Sequence, residues 1–210
     1  MKIILITSFK GGVGKSTIAN NLGDKLKNSI IFNLDFYQDA EDINTSNTIN
    51  IGGGEDLIPY INKYSDKDYI IIDAGGFDDK RIYKLDIDMF IFPLKSGYRS
   101  VKSTIDSVKI IYDTYTSETN TIFIINEYKD DKEFKDTALL MNDIVEESEL
   151  FFNGEVKVMG VKYSKALRTV ENTKNSISGI RKLGGILGYS FKNVDNNFIE
   201  LSNEIQTILK

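Results

Sequence analysis

Short apolar runs alternate with longer stretches of helical periodicity along the chain. Lys2-Ile-Ile-Leu-Ile-Thr-Ser8 is apolar at successive positions and stops at glycines, the pattern of a short buried strand. Ser16 to Lys27 follows with Ile18, Ala19, Leu22 and Leu26 on one face, which predicts a helix. Ile30–Leu34, Tyr69–Ile72, Met89–Phe92, Thr121–Ile125 and Val156–Met159 read as five further strands, with Pro93 closing the one that ends at Phe92. Helices are expected over 56–64, 101–115, 134–147, 163–176 and 194–209, and residues 36–55 read as a polar loop. Strands apolar on both faces, alternating with helices, require helical layers on either side. The pattern predicts an α/β fold with a mostly parallel twisted sheet and helices on both faces. In such sheets functional groups gather at the carboxyl ends of the strands.

Composition then narrows the chemistry. The chain has neither cysteine nor histidine, which excludes disulfides, thiolate metal sites and imidazole acid–base catalysis. No apolar run approaches the ~20 residues that span a bilayer, so a cytoplasmic protein is expected. The net charge of −5 is uneven: residues 151–192 hold eight Lys/Arg against two Asp/Glu. This is the region with an electrostatic case for a polyanion partner.

The first strand leads into Lys10-Gly-Gly-Val-Gly-Lys-Ser-Thr17 and then a helix. Glycines let main-chain N–H groups turn inward around a phosphate, and the helix amino terminus adds partial positive charge. Gly11, Gly12, Val13 and Gly14 form this cradle, Lys15 reaches the β- and γ-phosphates, and Ser16 offers a hydroxyl to Mg²⁺. Thr17 is expected at the α-phosphate. Asp73 ends a strand where a carboxylate supports Mg²⁺ in phosphate-loop ATPases, although a solvated strand-end Asp or a helix cap has the same pattern. Asp35, after the second strand, either orients the attacking water or holds the metal, or belongs to a generally acidic loop.

The motif is not the standard phosphate loop, because Phe9 stands where that pattern has its first glycine and an extra lysine, Lys10, follows. Lys10-Gly-Gly-Val-Gly-Lys15-Ser-Thr resembles the deviant Walker A sequence of the ParA/MinD ATPases. The resemblance continues through Tyr69-Ile-Ile-Ile-Asp73-Ala-Gly-Gly-Phe-Asp78, Phe90–Tyr98, Ile124-Ile-Asn126 and Lys162–Arg168. It implies binding of ATP and Mg²⁺, hydrolysis of ATP, and a homodimer formed on ATP in which Lys10 reaches the partner's phosphates. It implies that Asn126 reads adenine. Two departures bear on water activation: Asn33 replaces the first Asp of the family's Asp-x-Asp-Pro-Gln, and the proline is lost.

Within the family, Phe9 and a carboxyl-terminal helix with Lys210 as its lone cation argue against the membrane-binding MinD branch. That helix, with Val194, Phe198, Leu201, Ile205 and Ile208 on one face, is expected to dock on the domain, and no membrane partner is expected. A single phosphate-loop domain over 1–210 is expected, with no room before residue 10 for a helix-turn-helix domain. A helix from Tyr163 to Ser176 would bury Tyr163, Ala166, Leu167 and Val170 and turn Lys162, Lys165 and Arg168 outward. Such a face is either solvated or, as charge and resemblance both favour, a nonspecific DNA surface extended by Arg181 and Lys182. The expectation is a nucleoid-associated partitioning ATPase stimulated by a centromere-binding, ParB-like partner. The alternatives are a MinD-like or cargo-positioning ATPase, a metabolic phosphate-loop enzyme with a small-molecule acceptor, and a non-hydrolysing switch.

Overall fold

The computed structural model describes residues 1–34, 47–75, 79–115, 118–148, 150–164, 167, 176–182 and 184–210. Its centre is a seven-stranded, wholly parallel sheet. The strands are β1 (Lys2–Ile6), β2 (Ser29–Asn33), β3 (Thr48–Asn50), β4 (Tyr69–Asp73), β5 (Met89–Leu94), β6 (Asn120–Tyr128) and β7 (Val156–Lys162), in the order β3-β2-β4-β1-β5-β6-β7. The helices are α1 (Lys15–Lys25), α2 (Ile58–Lys63), α3 (Tyr98–Thr114), α4 (Asp131–Glu147), α5 (Ile177–Lys182), α6 (Gly185–Ser190) and α7 (Lys192–Ile208).

The consecutive apolar residues of the strands divide between two cores. Ile3, Leu5, Ile70, Ile72, Phe90, Phe92, Phe123 and Ile125 face one side, against Ile61 of α2, Val101, Ile105, Val108 and Ile111 of α3, and Met141 and Ile144 of α4. Their alternates Ile4, Ile6, Ile71, Met89, Ile91, Ile122 and Ile124 face the other. There they meet Ile18 and Leu22 of α1, Ile180 of α5, and Val194, Phe198, Leu201 and Ile205 of α7. Period-two alternation between two apolar environments is why these strands show no polar face. The carboxyl-terminal helix is thus docked by the apolar face expected for it.

Several boundaries differ from the expectation. β3 falls inside the stretch read as a loop; it is a three-residue edge strand, too short and polar to show periodicity, paired to β2 from Ile31↔Thr48 to Asn33↔Asn50. Pro93 does not close β5 but lies within it. Ile91 accepts from the Thr7 amide, and Pro93, on the same side of the strand, lies beyond the last pairing with β1. Its missing N–H therefore interrupts no ladder bond. α4 begins three residues early because Asp130 accepts from the Glu133 amide at 2.9 Å while Glu133 accepts from the Lys129 amide at 2.6 Å. The Asp130 side chain caps the first turn, and Glu133 ties the residue before it. β7 runs past Met159 through Gly160, where a Cβ would stand 2.6 Å from the Tyr128 ring and 2.9 Å from that of Phe134. Glycine lets those rings cross the strand.

α5 and α6 have no counterpart among the helices that periodicity predicts. The predicted helix over 163–176 lies mostly outside the described residues. Leu167 is buried in the core as expected, whereas Tyr163, expected on the inner face, is 37% exposed.

Candidate phosphate-loop site

β1 sends the chain towards β2 on one side, and β5 sends it towards β6 on the other. The crevice at the carboxyl ends of this adjacent pair is a topological switch point, where doubly wound sheets take ligands. Residues 8–14 fill it. Thr7 is still tied to β5 through its amide, the Phe9 amide donates to Ser107 Oγ of α3 at 3.4 Å, and the Lys10 amide donates to Ser8 Oγ at 3.3 Å. Phe9, in place of a glycine, lines a groove with Tyr98, Arg99, Lys102 and Ile110 of α3.

Gly12 and Gly14 have φ of 69° and 97°, in the left-handed region open to glycine. A Cβ at Gly11 or Gly12 would meet nothing within 4 Å, so open space lies over this part of the loop. α1 starts at Lys15 with Gly14 as its N-cap and no side-chain cap, so its first turn presents main-chain N–H groups at the loop. Lys15 is buried, Ser16 and Thr17 are half-buried, and Lys10 is half-buried on the approach to the loop.

Asp73 is 3% exposed at the end of β4. It is in register with Ile6, the last residue of β1, and with Asn33 of β2. The Ala74 amide donates to the Ile6 carbonyl at 3.1 Å, which holds Ala74 at the end of β1, where the chain leads into the phosphate loop. A hydroxyl at Ser16 is a hard oxygen donor of the kind Mg²⁺ takes, with phosphate oxygens and water completing its shell, and a carboxylate at Asp73 would support the ion by accepting from that water. The residues present therefore fit a Mg²⁺–phosphate ligand. Asn33 uses its amide to donate to Asn50 Oδ1 at 2.8 Å, tying β2 to the edge strand. Asp35 lies outside the described residues.

Asn126, expected at adenine, is 6% exposed and donates through Nδ2 to the Val13 carbonyl at 2.8 Å. Two further residues of this region escape a reading of the sequence. Glu127 has φ of 60° at a register break between Asn126 and Tyr128, and its carboxylate pairs with Lys95 Nζ at 2.8 Å. Neither the break nor a left-handed glutamate has a sequence signal. Arg81 grips Asp79 with Nε and a terminal nitrogen at 2.9 and 2.6 Å, while its other terminal nitrogen donates to the Gly52 and Glu55 carbonyls. It thereby pins the chain after β4 to the turn after β3.

The basic residues do not form one described face. Lys162 places Nζ 3.7 Å from Asp131 and 6.0 Å above the Tyr128 ring. Arg181 turns its guanidinium onto Asp195 of α7 at 2.7 Å, so its charge serves a helix–helix contact before any outside partner. Lys182 is exposed at the end of α5. Lys165 and Arg168 lie outside the described residues.

Residues 4–177 match the profile of the CobQ/CobB/MinD/ParA nucleotide binding domain, and the chain belongs to that family. Its fold is shared by the MinD cell division protein of Aquifex aeolicus (15% identity, 99% of this chain and 97% of that one, TM-score 0.68). It is shared by the septum site-determining protein MinD of Pyrococcus horikoshii OT3 complexed with Mg-ADP (16%, 97% and 95%, TM-score 0.65). A candidate plasmid partition protein of Borrelia burgdorferi B31 bound to AMPPNP is also similar (19%, 95% and 98%, TM-score 0.55). Comparison of the sequence with curated proteins finds no significant match. Among the described residues, no helix is long and apolar enough to cross a membrane.

Proposed function

We propose that this chain is a ParA-type ATPase that binds Mg-ATP in the loop of residues 10–17, dimerises on it, and in that state binds duplex DNA without sequence preference. The observation that carries the reading is the crevice itself. A loop with left-handed Gly12 and Gly14 opens onto the uncapped first turn of α1, with Lys15 and Ser16 in that turn and Asp73 at the end of the neighbouring strand β4.

Each residue has a defined task in this proposal. The N–H groups around Gly11–Gly14 and the Lys15 ammonium bind phosphate oxygens and take up negative charge as the terminal phosphoryl group leaves for water. Ser16, with Asp73 behind a bound water, holds Mg²⁺, which when bound neutralises phosphate charge; Thr17 contacts the α-phosphate. Lys10 crosses to the second protomer's nucleotide, and Asp35 orients the attacking water. Two protomers bring two basic segments to one DNA, so a weak salt-sensitive surface becomes an effective one only in the dimer. Lys182 and Lys162, with Lys165 and Arg168, supply those contacts, and a centromere-binding protein accelerates hydrolysis and release. The likeness to a candidate plasmid partition protein and the charge of residues 151–192 support this reading over a metabolic one.

The test is Mg-ATP binding and turnover by the intact chain and by Lys15→Ala. The expected result is measurable turnover in the former and loss of about a hundredfold or more in the latter, the scale of removing a preorganised charge from a reacting phosphate. Equal turnover in both would defeat the assignment.

A further inference from the structure

Asn126 and Gly14 approach more closely than a side chain between them would permit. A Cβ built on Gly14 falls 2.1 Å from Asn126 Nδ2. That nitrogen donates to the Val13 carbonyl at 2.8 Å, a contact between residues 113 apart, with Val13 1% and Asn126 6% exposed. Val13 lies between the two left-handed glycines.

The geometry of the peptide unit gives this contact a consequence for the loop. In a trans peptide the N–H points opposite to the C=O of the same unit. With the Val13 carbonyl turned onto Asn126, the Gly14 N–H is directed away from that contact. A neutral donor on that carbonyl therefore sets the direction of a phosphate-facing N–H. Asn126 is itself aimed by the break in β6. Its neighbour Glu127 takes a backbone conformation few non-glycine residues adopt, and Lys95 just past the end of β5 holds the Glu127 carboxylate in place. An uncommon conformation held by an ion pair, directly beside the residue that grips the loop, is what a positioning device requires.

We propose that Asn126 is a positioning residue of the phosphate loop, holding the Val13–Gly14 peptide so that its N–H meets phosphate, and that its effect on nucleotide binding is independent of the base. This rests on the phosphate-loop reading above. It differs from adenine recognition, in which the amide would meet the exocyclic amino group.

The experiment measures affinities for Mg-ATP and Mg-inosine triphosphate, which lacks that amino group, by displacement of a fluorescent nucleotide. The proteins are the intact chain, Asn126→Ala, Asn126→Ser and Asn126→Asp, each checked by thermal melting. The expected result is a fall of about tenfold for Asn126→Ala with both nucleotides, so that their ratio is unchanged. Asn126→Ser, a shorter donor, falls less, and it stands in should the alanine variant fold poorly. Asn126→Asp falls at least as far as alanine, because a carboxylate cannot donate to the Val13 carbonyl. A loss confined to ATP, or full ATP affinity in Asn126→Asp, would overturn the proposal in favour of adenine reading. Absence of ATP binding by the unaltered chain is a different failure, that of the phosphate-loop reading, and is seen before any variant is compared.

Discussion

Arg181 and Asp195 meet at 2.7 Å between α5 and α7, and the second oxygen of the same carboxylate takes Lys25 Nζ from α1. The carboxylate is 6% exposed and Lys25 14%, while Lys25 also donates to Ser178 Oγ at 2.7 Å. One buried anion between two cations joins three helices on one face of the sheet.

Removing that anion leaves a nearly buried lysine without its counter-charge. Asp195→Ala is expected to cost about 3 kcal/mol of stability. Urea unfolding should show the midpoint falling with the slope unchanged. A midpoint within error of the unaltered chain would show that the cluster contributes nothing net.

The Asp79–Arg81 pair predicts a pH dependence. Burial alone would raise the Asp79 pKa, but the hydrogen bonds from the Arg81 side chain and amide, with its charge, outweigh burial and hold it below the ordinary 3.8. A carboxylate with a depressed folded-state pKa stabilises the fold fully above its unfolded value and ceases to do so as pH falls through the folded value. Asp79→Asn should therefore be less stable than the unaltered chain at neutral pH and still so at about pH 5, with the gap closing below about pH 4. Urea midpoints across that range check this; a gap of constant size at every pH would contradict it.

Lys10 tests the dimer. Lys10→Ala is expected to bind Mg-ATP within about threefold of the unaltered chain, because the main-chain cradle and Lys15 remain. It should fail to dimerise. Sedimentation with a non-hydrolysable ATP analogue measures both states, and a persisting dimer would remove Lys10 from the interface.

How much of the fold and site is legible in the sequence depends on the range of the forces involved. β1, the phosphate loop and β4 are legible because Ile3–Ile6, Gly11–Ser16 and Ile70–Asp73 each carry their signal within a few consecutive residues. β3 is not, since three polar-flanked residues acquire strand geometry only from β2 beside them. The partners of Asn126 and Arg181 are not legible either. Val13 is 113 residues from Asn126, and Asp195 meets Arg181 only through the way α5 packs on α7; the same residues at a strand end or helix terminus read equally well as ligand contacts. Glu127 shows the limit most plainly, since its left-handed backbone coincides with a register break and a pairing with Lys95, and glutamate has no such preference of its own.

The most direct measurement is binding to a nonspecific DNA duplex at about 50 and 200 mM salt, with ATP, with ADP and without nucleotide. Lys15→Ala and Lys182→Glu are compared with the unaltered chain. The expected pattern is binding with ATP only, a steep loss of affinity at the higher salt, none in Lys15→Ala, and weakened binding in Lys182→Glu with ATP turnover intact. Binding that is equal in all three nucleotide states, or absent from all of them, would contradict the proposed ATP-dependent DNA-binding dimer.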